Sequence, residues 1–157
     1  MGVIPKLIND LAADVVYTGV VQHKVGPSGY WRDPYNLDHY EKGCLMLPEL
    51  DNIRNYDEQR KTNFCSVDKI VCFADPSDGV IQPWQSGWFG VWKTGQDTEA
   101  MPMEEREEYQ KDLFGLKTMN EAGRIVLKKS GLQHGGYLKT EAFIMKKVIK
   151  FLMMKAK

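Results

Sequence analysis

Two aspartates and a histidine are the residues of this 157-residue chain best suited by type and setting to proton transfer. Asp75 and Asp78 lie in the turn Asp75-Pro76-Ser77-Asp78-Gly79, and His134 lies in the glycine-flanked loop Ser130-Gly131-Leu132-Gln133-His134-Gly135-Gly136. A carboxylate held against one imidazole nitrogen fixes the ring's tautomer and stabilises the imidazolium. The other nitrogen is then left to take and return a proton, as a general base does in acyl transfer. Taken singly, an aspartate after a strand is a turn former and a loop histidine is surface decoration. The pair becomes informative when the fold brings its two loops together. Cys44, Cys65 and Cys72, set against His23, His39 and His134, match no metal-ligand spacing, so the thiols are expected to be structural or merely buried. No cofactor is expected.

The elements around these residues supply that requirement. Lys69-Ile70-Val71-Cys72-Phe73 is a short apolar run suited to a buried strand, and Arg124-Ile125-Val126-Leu127-Lys128 reads as a second. Residues 57 to 66 suit a surface helix, Glu104 to Leu113 and Lys117 to Ala122 suit two more, and the order helix, strand, helix, strand, helix predicts an α/β fold with a parallel sheet. Loops that follow adjacent parallel strands meet at the sheet's carboxyl edge, where ligands bind. Two such strands cannot satisfy both sheet edges alone, so further strands are expected in sequence outside this chain.

Elsewhere, residues 4 to 16 place Ile4, Leu7, Ile8, Leu11 and Val15 at helical spacing. Residues 26 to 55 are dense in turn formers and aromatics, as in GPSGYWRDPYN, and predict packed loops. The stretch to about residue 103 is loop-like, with Trp84, Trp88, Phe89 and Trp92. A last helix is expected to bury a stripe of Leu138, Ala142, Met145, Ile149 and Leu152, with Lys139, Lys146, Lys147 and Lys150 opposite. The 43% hydrophobic content suffices for one domain with a core. Basic and acidic residues balance at 21 each, so no net field attracts nucleic acid or an anionic membrane. The apolar runs are too short for stable membrane insertion. The N-terminus lacks a basic region followed by a long apolar run, so no export signal is read there.

Three stretches carry a family resemblance. Tyr30 to Pro34, YWRDP, resembles an aromatic YWxDP segment of the palmitoyl-protein thioesterases, and Trp88-Phe89-Gly90 is similar to their WFG. Ala122 to His134, AGRIVLKKSGLQH, looks like their final strand and catalytic-histidine loop. These enzymes are α/β-hydrolases, in which nucleophile, acid and histidine follow one another along the chain. The resemblance puts Asp78 at the acid position, counted back through Gly87-Trp88-Phe89-Gly90, and His134 at the histidine position.

The resemblance implies a C-terminal portion of the fold. Residues 1–65 would be the later part of the helical and loop insertion that forms the lipid groove, with Ile4, Leu7, Leu11, Tyr30 and Trp31 as acyl-binding residues. Residues 66–157 would be the core that carries acid and histidine. Substrates would be S-acylated proteins or fatty acyl thioesters, and a full-length parent would be lysosomal. The family's Gly-x-Ser-x-Gly elbow would precede residue 1, since none of Ser28, Ser66, Ser77, Ser86 and Ser130 sits in that pattern. The alternative is a non-catalytic descendant of the same fold that binds acyl chains or a partner.

Overall fold

The computed structural model of the protein describes residues 12–153. Strands β1 (Ile70–Ala74) and β4 (Ile125–Lys129) run parallel, with Ile70 opposite Ile125 and Ala74 opposite Lys129. Between them in sequence, β2 (Val91–Trp92) and β3 (Ala100–Met101) form a separate antiparallel pair. With helices before, between and after the parallel strands, this is an α/β fold.

Side chains alternate across a strand, and here each face has its own partner. Ile70, Ile125 and Leu127 join a cluster built from Met103, Tyr109, Phe114, Leu116 and Met119. Phe73 faces the other way and packs edge-on against Phe143 and Phe151 of the C-terminal helical segment, with ring centroids 5.1 and 6.1 Å apart. A second cluster, Ala13, Tyr17, Tyr40 and Cys44, lies in the N-terminal part, flanked by Val16, Trp31 and Leu47.

Buried polar contacts tie the two parts together. Arg106 reaches Asp51 at 2.6 Å and Glu108 at 3.3 Å, and it donates to the Phe89 carbonyl at 3.0 Å. Asn52 donates to the Leu113 carbonyl at 2.9 Å. Arg32 donates to the Trp92 carbonyl at 3.5 Å and Gly95 N–H to the Pro34 carbonyl at 2.8 Å, so the YWRDP stretch lies against the aromatic segment that follows Asp78.

The helix expected at 57 to 66 forms as Glu58–Cys65, where the Asp57 side chain accepts the Gln59 amide. That expected at Lys117 to Ala122 forms as Leu116–Glu121. Of the helix expected at 4 to 16, residues 12 to 16 are helical, and Ile4, Leu7 and Leu11 lie outside the described residues.

Two further expectations are corrected, over Glu104 to Leu113 and along the C-terminal stripe, whereas residues 26 to 55 hold no long element, in keeping with their composition. Residues 26 to 55 contain short helices, among them Leu37–Gly43, whose first turn Asn36 caps by accepting the His39 amide at 3.1 Å. The helix expected over Glu104 to Leu113 is broken at Arg106, which takes an extended backbone (φ −70°, ψ 141°) between Met103–Glu105 and Glu107–Gln110. The C-terminal stripe is out of phase with the expectation: Leu138 is 92% and Leu152 77% exposed, while Phe143 is buried. The helix of Leu138 ends at Lys139, where Thr140 turns out of the helical backbone (φ −105°, ψ 88°), a π-helical turn at Ile144–Val148 changes the phase ahead of Leu152, and the apolar rings of Phe143 and Phe151 face Phe73 of the sheet. Lys147, expected on the outer face, donates to the Ser130 carbonyl at 2.9 Å and lies over the Phe143 ring.

Candidate active site

The parallel ladder carries Asp78 and His134 to one edge. The Ser130 amide donates to the Ala74 carbonyl at 3.1 Å, and beyond it the two loops run side by side. The His134 amide donates to the Asp78 carbonyl at 3.1 Å, and the His134 ring presents Nδ1 to both carboxylate oxygens of Asp78 at 3.1 and 3.2 Å. The Asp78 side chain is 9% exposed and that of His134 48%, so the acid is sheltered and the ring opens to solvent. Among the described residues, Nε2 has no hydrogen-bond partner. An imidazole held by a carboxylate at Nδ1, with Nε2 accessible, is arranged for general-base work.

Asp78 is set by its own turn, since its Oδ1 accepts the amides of Val80 at 3.1 Å and Ile81 at 2.8 Å. Burial opposes its charge, but those two amides and the His134 ring outweigh burial and hold the carboxyl below its usual value. A depressed carboxyl favours folding above its unfolded value of about 3.9, and that favour is lost as pH falls through the lower folded value. Amide exchange protection at Val80 and Ile81 is therefore expected to be flat from neutral pH to about 5 and to collapse below about 3.9. Protection that falls already at pH 6 would assign the loop's stability to another group.

Asp75, the other acid in the turn, does not face the ring. Its Oδ1 accepts the Ser77 amide and hydroxyl, at 3.1 and 2.6 Å, and its Oδ2 accepts the Gly131 amide at 2.7 Å. Ser130 Oγ lies 2.9 Å from the Tyr137 hydroxyl and accepts the Leu132 amide at 3.1 Å. Sequence reasoning offered Asp75 as the other aspartate of the turn and Ser130 as a serine outside any motif; the bond between Asp75 and Gly131 joins residues far apart in the chain and leaves no local pattern.

The two described residues expected to bind an acyl chain, Tyr30 and Trp31, lie apart from this pair of loops in sequence. Trp31 stacks on Tyr17 with centroids 5.7 Å apart, and Tyr30 is 68% exposed. A cleft of about 330 Å³ runs beside the acid turn, lined in part by Pro76, Ile81, Pro83, Trp84, Trp92 and Ala100. Gly87 lets the segment bearing Trp84 and Trp88 approach β1, because a Cβ there would stand 2.9 Å from that of Ala74. Cys44, Cys65 and Cys72 are free thiols, and burial raises that of Cys72. Among the described residues no group of histidine, cysteine and acidic side chains is arranged to hold a metal, and no helix is long and apolar enough to cross a membrane.

Acid first and histidine second, on loops after neighbouring parallel strands, is the arrangement of the later two triad members in α/β-hydrolases. The family model for palmitoyl protein thioesterase matches residues 2–134, and the chain belongs to that family. It is 34% identical to palmitoyl-protein thioesterase 1 of Caenorhabditis elegans over 109 residues, 69% of this chain and 37% of the relative. It is 38% identical over 101 residues to the lysosomal thioesterase PPT2-B of Xenopus laevis, 63% of this chain and 34% of the relative. It is 35% identical over 108 residues to the human lysosomal thioesterase PPT2, 67% of this chain and 35% of the relative. The chain thus matches between about a third and two fifths of the length of its curated relatives.

Proposed function

We propose that this chain supplies the acid and the base of a serine-dependent thioesterase that cleaves long-chain acyl groups from cysteine thiols or related thioesters. The observation that carries the reading is the Asp78–His134 pair in a chain that belongs to this family. His134 Nε2 takes the proton of a serine hydroxyl as its oxygen attacks the thioester carbonyl. The tetrahedral intermediate collapses by breaking the carbon–sulfur bond, and the thiolate receives that proton. Water then repeats the sequence on the acyl-serine, returning the serine and releasing the fatty acid. Asp78 keeps the ring in the tautomer with its proton on Nδ1 and stabilises the imidazolium.

The serine belongs to a Gly-x-Ser-x-Gly elbow, a pattern none of this chain's five serines occupies. Residues 1–65 then serve as the later part of the lipid-groove insertion and residues 66–157 as the part of the core bearing acid and histidine. We assign acyl binding in that groove to Ile4, Leu7, Leu11, Tyr30 and Trp31, with each buried methylene of the acyl chain contributing about 0.8 kcal/mol. The contacts of Arg32 with Trp92 and of Pro34 with Gly95 favour this, since they bring the YWRDP stretch beside the aromatic cleft. Two of the relatives above carry the lysosome in their names, and we assign a full-length protein bearing this sequence to that compartment.

A full-length protein is expected to hydrolyse a palmitoyl thioester and to take one fluorophosphonate label outside these 157 residues. The isolated chain is expected to take none. Stoichiometric labelling of one of its five serines, with turnover, would place the nucleophile inside the chain and overturn this division of labour. A labelled full-length protein without thioester turnover would overturn the substrate assignment.

A further inference from the structure

We propose that Asp75 is a positioning residue whose carboxylate ties the turn after β1 to the main chain of Gly131 and so sets where His134 stands against Asp78. This rests on the reading of His134 as the base. Three cross-links hold the two loops alongside each other: Ser130 to Ala74, Gly131 to Asp75, and His134 to Asp78. The first and third are main-chain bonds, whereas in the second a side-chain oxygen takes the place of a backbone carbonyl.

That substitution lets one residue govern both loops. Asp75 Oδ1 closes its own turn on the Ser77 amide and hydroxyl, its carbonyl accepts the Asp78 amide at 3.0 Å, and its Oδ2 grips Gly131. Gly131 stands at φ +75°, a left-handed backbone that suits glycine, and His134 follows three residues later. Asp75 is buried, at 8% exposure, and the Ser77 hydroxyl, the Ser77 amide and the Gly131 amide together hold its carboxyl below the usual value. Three donors converge on two oxygens, which a carboxylate satisfies. An asparagine offers one oxygen and an NH₂, so either Ser77 or Gly131 must face a donor.

The test reads the His134 ring by nitrogen–proton NMR in a full-length protein bearing this sequence, comparing the parent with D75N, S77A and D78N. The β1–β4 amides and tryptophan indoles report whether each variant is folded. D78N is expected to lose the hydrogen-bonded Nδ1 proton signal. D75N is expected to lose or displace it with the sheet signals in place, while S77A, which keeps the grip on Gly131, is expected to preserve it. A parent-like ring in folded D75N overturns the proposal, and so do equal effects of D75N and S77A, which would reduce Asp75 to a turn former. A ring indifferent to D78N would instead sink the dyad reading beneath it. Should D75N fail to fold, Asp75→Glu decides the matter: it keeps both oxygens but moves them by a methylene, so the signal is expected to shift, and an unshifted one overturns the proposal.

Discussion

Replacing His134 with Ala in a full-length protein bearing this sequence is expected to lower thioester turnover by about 10⁴ to 10⁶, the range seen when triad members are removed from serine hydrolases. The fold should survive, because the ring is half exposed and, among the described residues, its side-chain hydrogen bonds go to Asp78 alone. Loss of the ring leaves the serine without a proton acceptor and the departing thiolate without a donor, so acylation and deacylation fail together. The decrease should appear in kcat, with KM little changed, since the acyl chain is bound elsewhere. D78N should cost less than H134A while leaving the imidazole in place, because it removes tautomer control and charge stabilisation but not the base. A His134 variant that turns over within tenfold of the parent, with an unaltered circular dichroism spectrum, would exclude this residue as the general base.

What was legible beforehand divides along physical lines. Apolar runs of five residues bounded by turn formers show themselves in any sheet, and β1 and β4 start one residue later than the runs suggest. The two strands place the turn at 75–79 and the loop at 130–136 at one sheet edge, while the selection of Asp78 and His134 within them came from the resemblance to the family's motifs. Elements too short to show a period were not legible: Leu37–Gly43 has two turns, and its start is marked by the Asn36 cap and not by amphipathicity. The two-residue strands Val91–Trp92 and Ala100–Met101 are defined by each other and not by local preference.

The C-terminal error has a different origin. A helical stripe is extrapolated at 3.6 residues per turn through one continuous helix, whereas here the chain leaves the helix at Thr140 (φ −105°, ψ 88°), which uncouples Leu138, and a π-helical turn at Ile144–Val148 then changes the phase ahead of Leu152. Within that turn Lys147 reaches inward to Ser130, so a lysine assigned to the solvated face braces the base of the histidine loop. Residue type and local setting do not separate Asp75 from Asp78, since both follow β1 and both accept backbone amides; the resemblance pointed to Asp78, and it is Asp78 that meets the His134 ring.

Arg106 illustrates the cost of what local pattern conceals, and its removal is expected to be among the most damaging single changes to stability. Its side chain is 5% exposed and holds Asp51 and Glu108, themselves 15% and 10% exposed, in one buried ionic group. The chain breaks a helix at this residue to aim the guanidinium there. Arg106→Leu leaves two buried carboxylates without their counter-charge, which is expected to cost about 3–5 kcal/mol of unfolding free energy. Burial already pushes the Asp51 carboxyl upward against the pull of Arg106, so without the guanidinium it would rise further. A raised carboxyl pKa penalises the folded state as pH climbs through and above the unfolded value, because ionisation is then easier in the unfolded chain. The deficit of Arg106→Leu relative to the parent should therefore be greatest near neutrality and narrow as pH approaches the carboxylate range. The triple variant R106L/D51N/E108Q should recover part of the loss, since it removes the stranded charges along with their partner. Urea midpoints at pH 5 and pH 7.5 test this, and a pH-independent deficit that the triple variant fails to reduce would show that Arg106 acts through packing of its stem and its bond to the Phe89 carbonyl instead.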